Sequence, residues 1–124
     1  MTVTYSSYLH LDELLAAQQP LSDGPEHDEM LFIVIHQVYE LWFKQILHEA
    51  GYLGAALAQD DLPRVYATLK RFLTILKVQV AQIDILETMS PVSFLSFRAR
   101  LDTASGFQSP QFRELEFVLG RRSA

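Results

Sequence analysis

The stretch HDEMLFIVIHQVYELWFK, from His27 to Lys44, predicts a long and mostly buried helix at the centre of the fold. Two apolar stripes run along it at helical spacing. The first consists of Leu31, Val34, Val38, Leu41 and Gln45, and the second of Phe32, His36, Tyr39 and Phe43. Two such stripes on one helix indicate that it is covered on more than one side. His36 stands in the middle of this apolar run, so the role of its imidazole is the first question that the sequence raises.

Helical patterns also fill the rest of the chain, and no alternation with the period of two that strands show is present. Acidic cap residues and a proline at Asp60-Asp61-Leu62-Pro63 predict a tight break between two long helices, which should pack as an antiparallel hairpin. The predicted helices run from Leu9 to Gln18, Glu26 to Gln59, Pro63 to Glu87, Val92 to Leu101, and Ser109-Pro110 to Gly120. The expected fold is all-α, a bundle-like single domain over residues 1–124 in which shorter helices flank the long hairpin.

Composition narrows the possible functions. The 124 residues are 49% hydrophobic and 20% charged, with a net charge of −5, which argues against the clustered basic surface of nucleic-acid-binding proteins. The absence of cysteine excludes thiolate catalysis, disulfides and cysteine-based metal sites. The N-terminus has no signal-peptide pattern, and no apolar run has the length of a membrane span. These features predict a soluble cytoplasmic domain with no membrane and no nucleic-acid partner.

The long central helix carries more aromatic surface than a chain of this size is expected to hide. The aromatic residues concerned are Phe32, Tyr39, Trp42, Phe43 and Tyr52. Such an excess favours a bound cofactor, a further portion of chain or neighbouring subunits as the missing cover.

His36 lies one helical turn from Phe32 and from Glu40. Two interpretations are open: a hydrogen-bonded core or interface residue, or a neutral imidazole that handles a proton or hydrogen bond in an apolar pocket. The other histidines give no metal pattern. His10 is predicted on the first short helix, His27 is a solvated cap, and His48 is three turns beyond His36. Zinc and di-iron carboxylate sites are not expected, because adjacent residues of the HDE triplet diverge on a helix and the Glu-x-x-His pattern is missing.

Arg98 follows aromatic residues in SFLSFRARLD, and it has two interpretations. Most arginines on short helices are solvated, but one beside an apolar cleft can hold a substrate carboxylate by a bidentate pair. The ASGFQS segment, residues 104–109, offers small residues and backbone N–H groups for the close approach of a ligand. Tyr5 and Tyr8 are predicted to lie in a loose N-terminal arm, where aromatic residues indicate docking on this subunit or on another.

Four segments together give a more specific signal: YSSYLHLDELLAAQQPLS, HDEMLFIVIHQVYELWFKQILHE, LETMSPVSFLSFRARL and ASGFQSPQFRELEFVLG. Their order and spacing resemble those of the N-terminal part of the tryptophan 2,3-dioxygenase family, and they cover nearly the whole chain. Members of that family are haem enzymes that open the indole ring of L-tryptophan with O2 to give N-formylkynurenine.

The resemblance implies roles for individual residues. His36 matches the histidine that hydrogen-bonds the indole N–H, and Phe32 matches the phenylalanine that packs on the substrate. Arg98 matches the arginine that pairs with the substrate carboxylate. Phe94 matches a pocket-lining aromatic position at which some members have tyrosine.

The resemblance also implies contacts with haem b and with another subunit. Ser105 and Gly106 fall where the family's loop runs beside the haem. Tyr5, Tyr8 and Leu9 match the arm that reaches the active site of a neighbouring subunit, so a homo-oligomer is expected, as in the tetrameric family.

The family's proximal haem ligand is a histidine of the C-terminal half, and none of the four histidines in this sequence matches it. The chain is therefore expected to be a fragment, a truncated gene product or a shortened relative, and to be inactive alone. Two hypotheses stay open. The chain carries the distal, substrate side of a tryptophan dioxygenase site, or it is a non-catalytic helical module that associates with copies of itself.

Overall fold

The computed structural model describes residues 2–22, 26–98 and 109–120, and for residues 96–98 it describes the backbone alone. These ranges contain helices, turns and loops and no strand. The helices are α1 (Tyr5–Leu9), α2 (Leu11–Leu15), α3 (His27–Ala58), α4 (Leu62–Leu86), α5 (Pro91–Arg98) and α6 (Pro110–Val118). The prediction of an all-α fold built on a long helical hairpin is confirmed.

The hairpin of α3 and α4 turns at the residues that the sequence marked as a break. Asp60 takes a left-handed backbone conformation with φ of 55°, which aspartate tolerates better than most residues. The Asp61 side chain then accepts a hydrogen bond from the Arg64 backbone N–H at 3.3 Å, and Pro63 stands in the first turn of α4. Both predicted long helices end within one residue of their predicted bounds, because these local signals stop one helix and start the next.

The core lies where α3, α4 and α6 meet. Ile46 is completely buried, and Phe72, Ile75 and Leu115 are buried around it. The half-buried residues packed against this group are Trp42, Phe43, Leu47, Ala50 and Leu76. Burial of this apolar surface is the main force that holds the three helices together.

Helix α4 carries two apolar stripes, of which one is covered. The residues that are buried along it are Val65, Thr68, Phe72, Ile75 and Gln79, and α4 packs mainly against α3. The neighbouring stripe, which we name the outer stripe of α4, is exposed and consists of Leu62, Tyr66, Leu69, Leu73, Val80 and Ile83. Its members are three, four or seven residues apart, which is the spacing of a helix-packing surface. Exposed apolar surface is therefore present on α4 as well as on α3, the helix for which an excess was expected.

The N-terminal prediction of one helix from Leu9 to Gln18, preceded by a loose arm, was wrong. Thr4 and Ser7 form a reciprocal capping box that starts α1 at Tyr5. His10 takes a left-handed conformation with φ of 53°, which separates α1 from α2, so this histidine is not on a helix. Residues Tyr5, Tyr8 and Leu9 consequently belong to an ordered helical turn.

The remaining helix bounds agree closely with prediction. Helix α5 begins at Pro91, one residue before the predicted start, and residues 99–101 of the predicted helix lie outside the described residues. Helix α6 begins after the Ser109 cap and ends at Val118, and Gly120 follows with φ of 104°. Within the described ranges, no helix combines the length and the apolar character that a membrane crossing requires.

Candidate functional site

Three aromatic rings come together where α5 approaches the first half of α3. The ring centroids of Phe32 and His36 are 4.2 Å apart with an interplanar angle of 36°, as their separation of one helical turn predicts. Phe94 of α5 adds a third ring, 5.8 Å from that of Phe32 and tilted by 39°. All three residues are half-buried. We name this group the His36 cluster, and it places three of the residues singled out by the sequence side by side.

One hydrogen bond defines the chemistry of the His36 imidazole. Its Nδ1 lies 2.8 Å from the backbone carbonyl oxygen of Phe32. Because a carbonyl only accepts, Nδ1 must carry the proton, and in the neutral ring Nε2 then holds a lone pair. In this tautomer Nε2, on the far edge of the ring, is a hydrogen-bond acceptor, and the ring packs on Phe32, which in turn contacts Phe94.

Glu40, one turn after His36, is hydrogen-bonded to α6. Its carboxylate and its backbone carbonyl both accept from the Gln111 side-chain amide, at 2.9 and 2.8 Å. This contact fixes α6 on α3 and satisfies the carboxylate. Among the described residues, the hydrogen-bond partner of the imidazole is the Phe32 carbonyl. The orientation of the His36 ring is therefore fixed by its own helix and by its aromatic neighbours.

Tyr39 has a structural role that the sequence did not indicate. Its hydroxyl donates to the Gln79 carbonyl of α4 at 2.7 Å, and burial raises the pKa of the phenol above its usual 10.0. The phenol is therefore held in its neutral, donating form. A tyrosine within an apolar stripe is itself a signal of such a partner, since a buried hydroxyl needs one.

The aromatic excess predicted for α3 is thus largely absorbed within the chain. Trp42 and Phe43 pack on the core, and the Phe43 ring lies 5.8 Å from Phe112 of α6. Tyr52 remains half exposed and lies beneath the Arg64 guanidinium, at 5.8 Å from its ring centroid. The aromatic side chains that remain available to contact a ligand are those of the His36 cluster.

A second polar group on the first half of α3 also escaped prediction. Glu29 is 1% exposed, and its carboxylate accepts from the backbone N–H groups of Leu21 and Ser22 at 2.8 and 3.0 Å, and from the Ser22 hydroxyl. Glu29 lies in the first turn of α3, where a negative charge also complements the helix dipole. Its partners precede it by seven and eight residues and stand outside α3, so helical spacing gives no sign of them.

The other predicted site residues fall in different places. Helix α5 carries the Arg98 backbone, but the Arg98 side chain lies outside the described part of the chain, as do Ser105 and Gly106 entirely. Tyr5 and Tyr8 are 77% and 72% exposed, and Leu9 is also exposed. Helix α1 packs mainly on α2, so the structure does not bury these three side chains in the His36 cluster of their own chain. In the described ranges, no group of three or more histidine, aspartate or glutamate side chains is arranged to hold a metal ion.

Comparison with known proteins gives a consistent result. A sequence model of the tryptophan 2,3-dioxygenase family matches residues 1–124. A tryptophan 2,3-dioxygenase from Herpetosiphon aurantiacus is 64% identical over 118 residues, which are 95% of this chain and 45% of that protein. Relatives of the same name from Anaeromyxobacter sp. (strain K) and Nocardioides sp. are 62% and 56% identical, over 97% of this chain and 44% and 46% of their own lengths.

The chain thus spans a little under half the length of the curated relatives that it matches. The aligned region includes α3 and α5, the two helices that build the His36 cluster. Because the family pattern extends over the entire chain and identity exceeds one half, the resemblance seen in the sequence is confirmed: the chain belongs to the tryptophan 2,3-dioxygenase family.

Proposed function

We propose that this chain forms the substrate side of a haem-dependent tryptophan 2,3-dioxygenase, which converts L-tryptophan and O2 to N-formylkynurenine. Both oxygen atoms enter the product, so the overall reaction needs no external reductant. The observation that carries the proposal is the His36 cluster, an imidazole acceptor beside two phenyl rings, in a chain of this family.

Each residue of the cluster has a defined part in binding the indole. Nε2 of His36 accepts the hydrogen bond of the indole N–H, which is a donor only. The Phe32 and Phe94 rings offer the tilted aromatic contacts that an indole favours. Arg98, at the end of the same short helix as Phe94, pairs with the carboxylate of the amino acid. The two ends of L-tryptophan are thereby recognised by α3 and α5.

The side chains of the His36 cluster suit the substrate-binding side of a haem. Two phenyl rings and an imidazole already fixed by the Phe32 carbonyl form an apolar surface with a single acceptor, as a substrate-binding face requires. Ser105 and Gly106 are the residues that would lie against the haem, according to the family resemblance. When bound, the haem supplies the activation of dioxygen. Its axial ligand has no counterpart among the four histidines of this chain, by the same resemblance.

The exposed N-terminal residues support a homo-oligomer. Tyr5 and Tyr8 leave about three quarters of their surface in contact with solvent, although large aromatic side chains usually find cover. In the proposal, these residues and Leu9 reach the His36 cluster of a neighbouring copy. We also propose that residues 1–124 act as one domain in the cytoplasm, a reducing compartment that suits a chain without cysteine.

The test is an absorption titration of the chain with haemin, followed by reduction and addition of L-tryptophan. A saturable Soret band that shifts on adding tryptophan would show that an axial ligand is available and that the substrate side is assembled, and His36→Gln should reduce this shift. His48→Gln is the matched control, because His48 is an exposed histidine on the same helix. Haem binding without saturation and without a response to tryptophan would remove the catalytic proposal for this chain.

One observation favours a second candidate, a non-catalytic module that associates with copies of itself. The outer stripe of α4 exposes a row of large apolar side chains to solvent. If association through it is the function, haem-free chains should sediment as a stable oligomer whose melting temperature does not change with tryptophan. Leu73→Glu should dissociate that oligomer, whereas Ala81→Glu, which adds the same charge elsewhere on α4, should leave it intact.

A further inference from the structure

Residues 17–22, which we name the strap, lie along the first half of α3 and join it to the N-terminal arm, residues 2–15. We propose that Glu29 and Gln37 are positioning residues that fix the strap on α3 and so set the direction in which the arm projects. The attachment rests on the contacts of this chain alone. Its consequence for tryptophan binding rests on the proposed function, in which the arm enters the site of another copy.

The first attachment point is the Glu29 carboxylate. It is almost completely buried, and it receives three hydrogen bonds from two consecutive strap residues, Leu21 and Ser22. Hydrogen bonds to an ionised acceptor are stronger than neutral ones, and a buried carboxylate depends on them. Two of the three bonds come from backbone N–H groups and the third from the Ser22 hydroxyl, so Glu29 holds the strap chiefly by its backbone.

The second attachment point is the Gln37 amide, which uses both of its ends. Its Nε2 donates to the Ala17 carbonyl at 2.9 Å, and its Oε1 accepts from the Gln18 side chain at 2.8 Å. Glu29 and Gln37 are eight residues apart on α3, or roughly 12 Å along its axis. Two attachments at this separation fix the direction of the strap as well as its position.

The contacts also determine where the arm leaves α3. The strap runs antiparallel to the helix, because its last residues bond Glu29 and its first residues bond Gln37. The arm therefore departs at the level of Gln37, the residue next to His36 in the sequence. This geometry links the direction of the arm to the helix turn that carries the proposed site.

Packing of the arm itself does little to fix its direction. Neither α1 nor α2 has a buried residue, and they pack chiefly on each other. An arm already aimed at its docking surface loses less conformational freedom when it binds, which lowers the cost of ordering it. Loosening the strap should therefore weaken whatever the arm binds while leaving the fold of the hairpin intact.

Glu29→Gln tests the attachment, with Asp28→Asn as the matched control. Both variants remove one carboxylate charge from the first turn of α3, but only Glu29→Gln places a side-chain amide nitrogen, itself a donor, against the strap N–H donors. We expect hydrogen exchange at the Leu21 and Ser22 amides to become at least about tenfold faster in Glu29→Gln and to change less than about twofold in Asp28→Asn. Equal exchange in the two variants would overturn the proposal.

Direction is measured separately, by spin labels on cysteines introduced at Ser6 and Lys70. The chain contains no native cysteine, and both positions are exposed. Labelled chains diluted into unlabelled ones should give a narrow distance distribution in the parent and in Asp28→Asn, and one about twice as wide in Glu29→Gln. Gln18→Ala, which weakens the other attachment without touching the core, should widen it to a smaller extent. An unchanged width despite faster exchange would show local fastening only and would also overturn the proposal.

The functional consequence is read as a division between KM and kcat. In a haem-loaded protein with measurable activity, Glu29→Gln should raise KM for L-tryptophan about tenfold with kcat within about twofold, and Asp28→Asn should change neither. Loss of kcat with unchanged KM would contradict a positioning role for the arm. A parent chain with no response to tryptophan would instead refute the proposed function, since the exchange and distance measurements do not depend on activity.

Discussion

The two halves of α3 use the same kind of residue in opposite ways. Each half buries a glutamate: Glu29 near the start of the helix and Glu49 near its end are 1% and 4% exposed. Glu49 accepts from Arg71 of α4 and Gln45 of its own helix, at 3.0 and 2.9 Å, so it ties together two helices of the core. Glu29 binds the backbone of the strap.

The surroundings of Glu29 and Glu49 differ as their hydrogen-bond partners do. The second half of α3 contains Ile46, which is completely covered by α4 and α6. The first half presents a half-buried cluster, in which the Phe32 ring contacts both His36 and Phe94 and Nε2 of the neutral imidazole is an acceptor. The second half of the helix carries most of the core. The first half also contacts α4 and α6 through Tyr39 and Glu40, and in addition it holds groups in place for contacts beyond the core. Each prediction below tests this division, from the largest expected effect to the smallest.

The largest effect is expected from Ile46→Ala, in the second half of α3. Truncating a fully buried isoleucine removes apolar contacts and leaves a cavity, at a cost of about 3–4 kcal/mol in the free energy of unfolding. Urea denaturation followed by circular dichroism measures the loss. Ile85→Ala is the control, because half of that side chain is exposed and its truncation should cost less than about 1 kcal/mol. Similar losses in both variants would contradict the assignment of the core.

The next largest effect is expected on the affinity for substrate and not on the stability of the fold. In a protein that binds haem and L-tryptophan, Arg98→Ala should weaken tryptophan binding by about 2 kcal/mol or more, as for a lost charge-assisted pair. Spectroscopic titration measures this affinity, and Arg64→Ala, at the hairpin turn, should leave it unchanged. An unaltered affinity in Arg98→Ala would count against the role taken from the family, and would separate α5 from the substrate site.

A smaller loss, of about 1 kcal/mol in the free energy of unfolding, is expected for Glu49→Ala. The variant loses the bonds from Gln45 and Arg71, but Arg71 is 67% exposed and can be hydrated, so solvent limits the cost. The comparison with Glu29→Ala is the informative one. Denaturation should detect Glu49→Ala, whereas Glu29→Ala should act mainly on exchange in the strap, because the strap can open while the core stays folded. The reverse pattern would abolish the distinction between the two halves.

The sequence predicted the parts of this division that depend on local chemistry. The hairpin break was visible because Asp61 and Pro63 cap and start α4 without help from distant residues. The proximity of Phe32 and His36 followed from their spacing on one helix. The placement of Phe94 beside them came from family resemblance, since no local pattern decides where a short helix packs.

What the sequence missed depends on contacts between segments. Glu29 and Gln37 look like ordinary polar residues of a helix, because their partners lie in the strap and meet them only after the chain has folded back. The left-handed conformation of His10 likewise replaced one predicted helix by two, although its flanking residues are good helix formers. The covered stripe of α4 includes Thr68 and Gln79, whereas its exposed outer stripe consists of large hydrophobic residues, so hydropathy alone did not indicate which face packs on α3.

The smallest predicted effect concerns Tyr39, at the boundary between the two halves of α3. Tyr39→Phe removes the hydrogen bond to the Gln79 carbonyl and should cost roughly 0.5–1 kcal/mol in the free energy of unfolding at neutral pH. The pH dependence is the sharper signature. Because burial raises the pKa of the folded phenol above 10.0, the folded state keeps a proton that the unfolded state releases. This contribution to stability is complete below pH 10 and is lost as pH rises from 10 through the raised pKa.

The difference in unfolding free energy between the parent and Tyr39→Phe should therefore shrink as pH rises above 10, a trend that denaturation at a series of alkaline pH values measures. Tyr66→Phe provides the control for removing a hydroxyl, because Tyr66 is 69% exposed on the outer stripe and the unfolding free energy of this variant should match that of the parent at neutral pH. A difference independent of pH would mean that the Tyr39 hydroxyl is not confined between α3 and α4 in solution. This contact would then no longer mark the boundary between the half of α3 that builds the core and the half that carries the proposed site. That boundary would lie closer to Ile46.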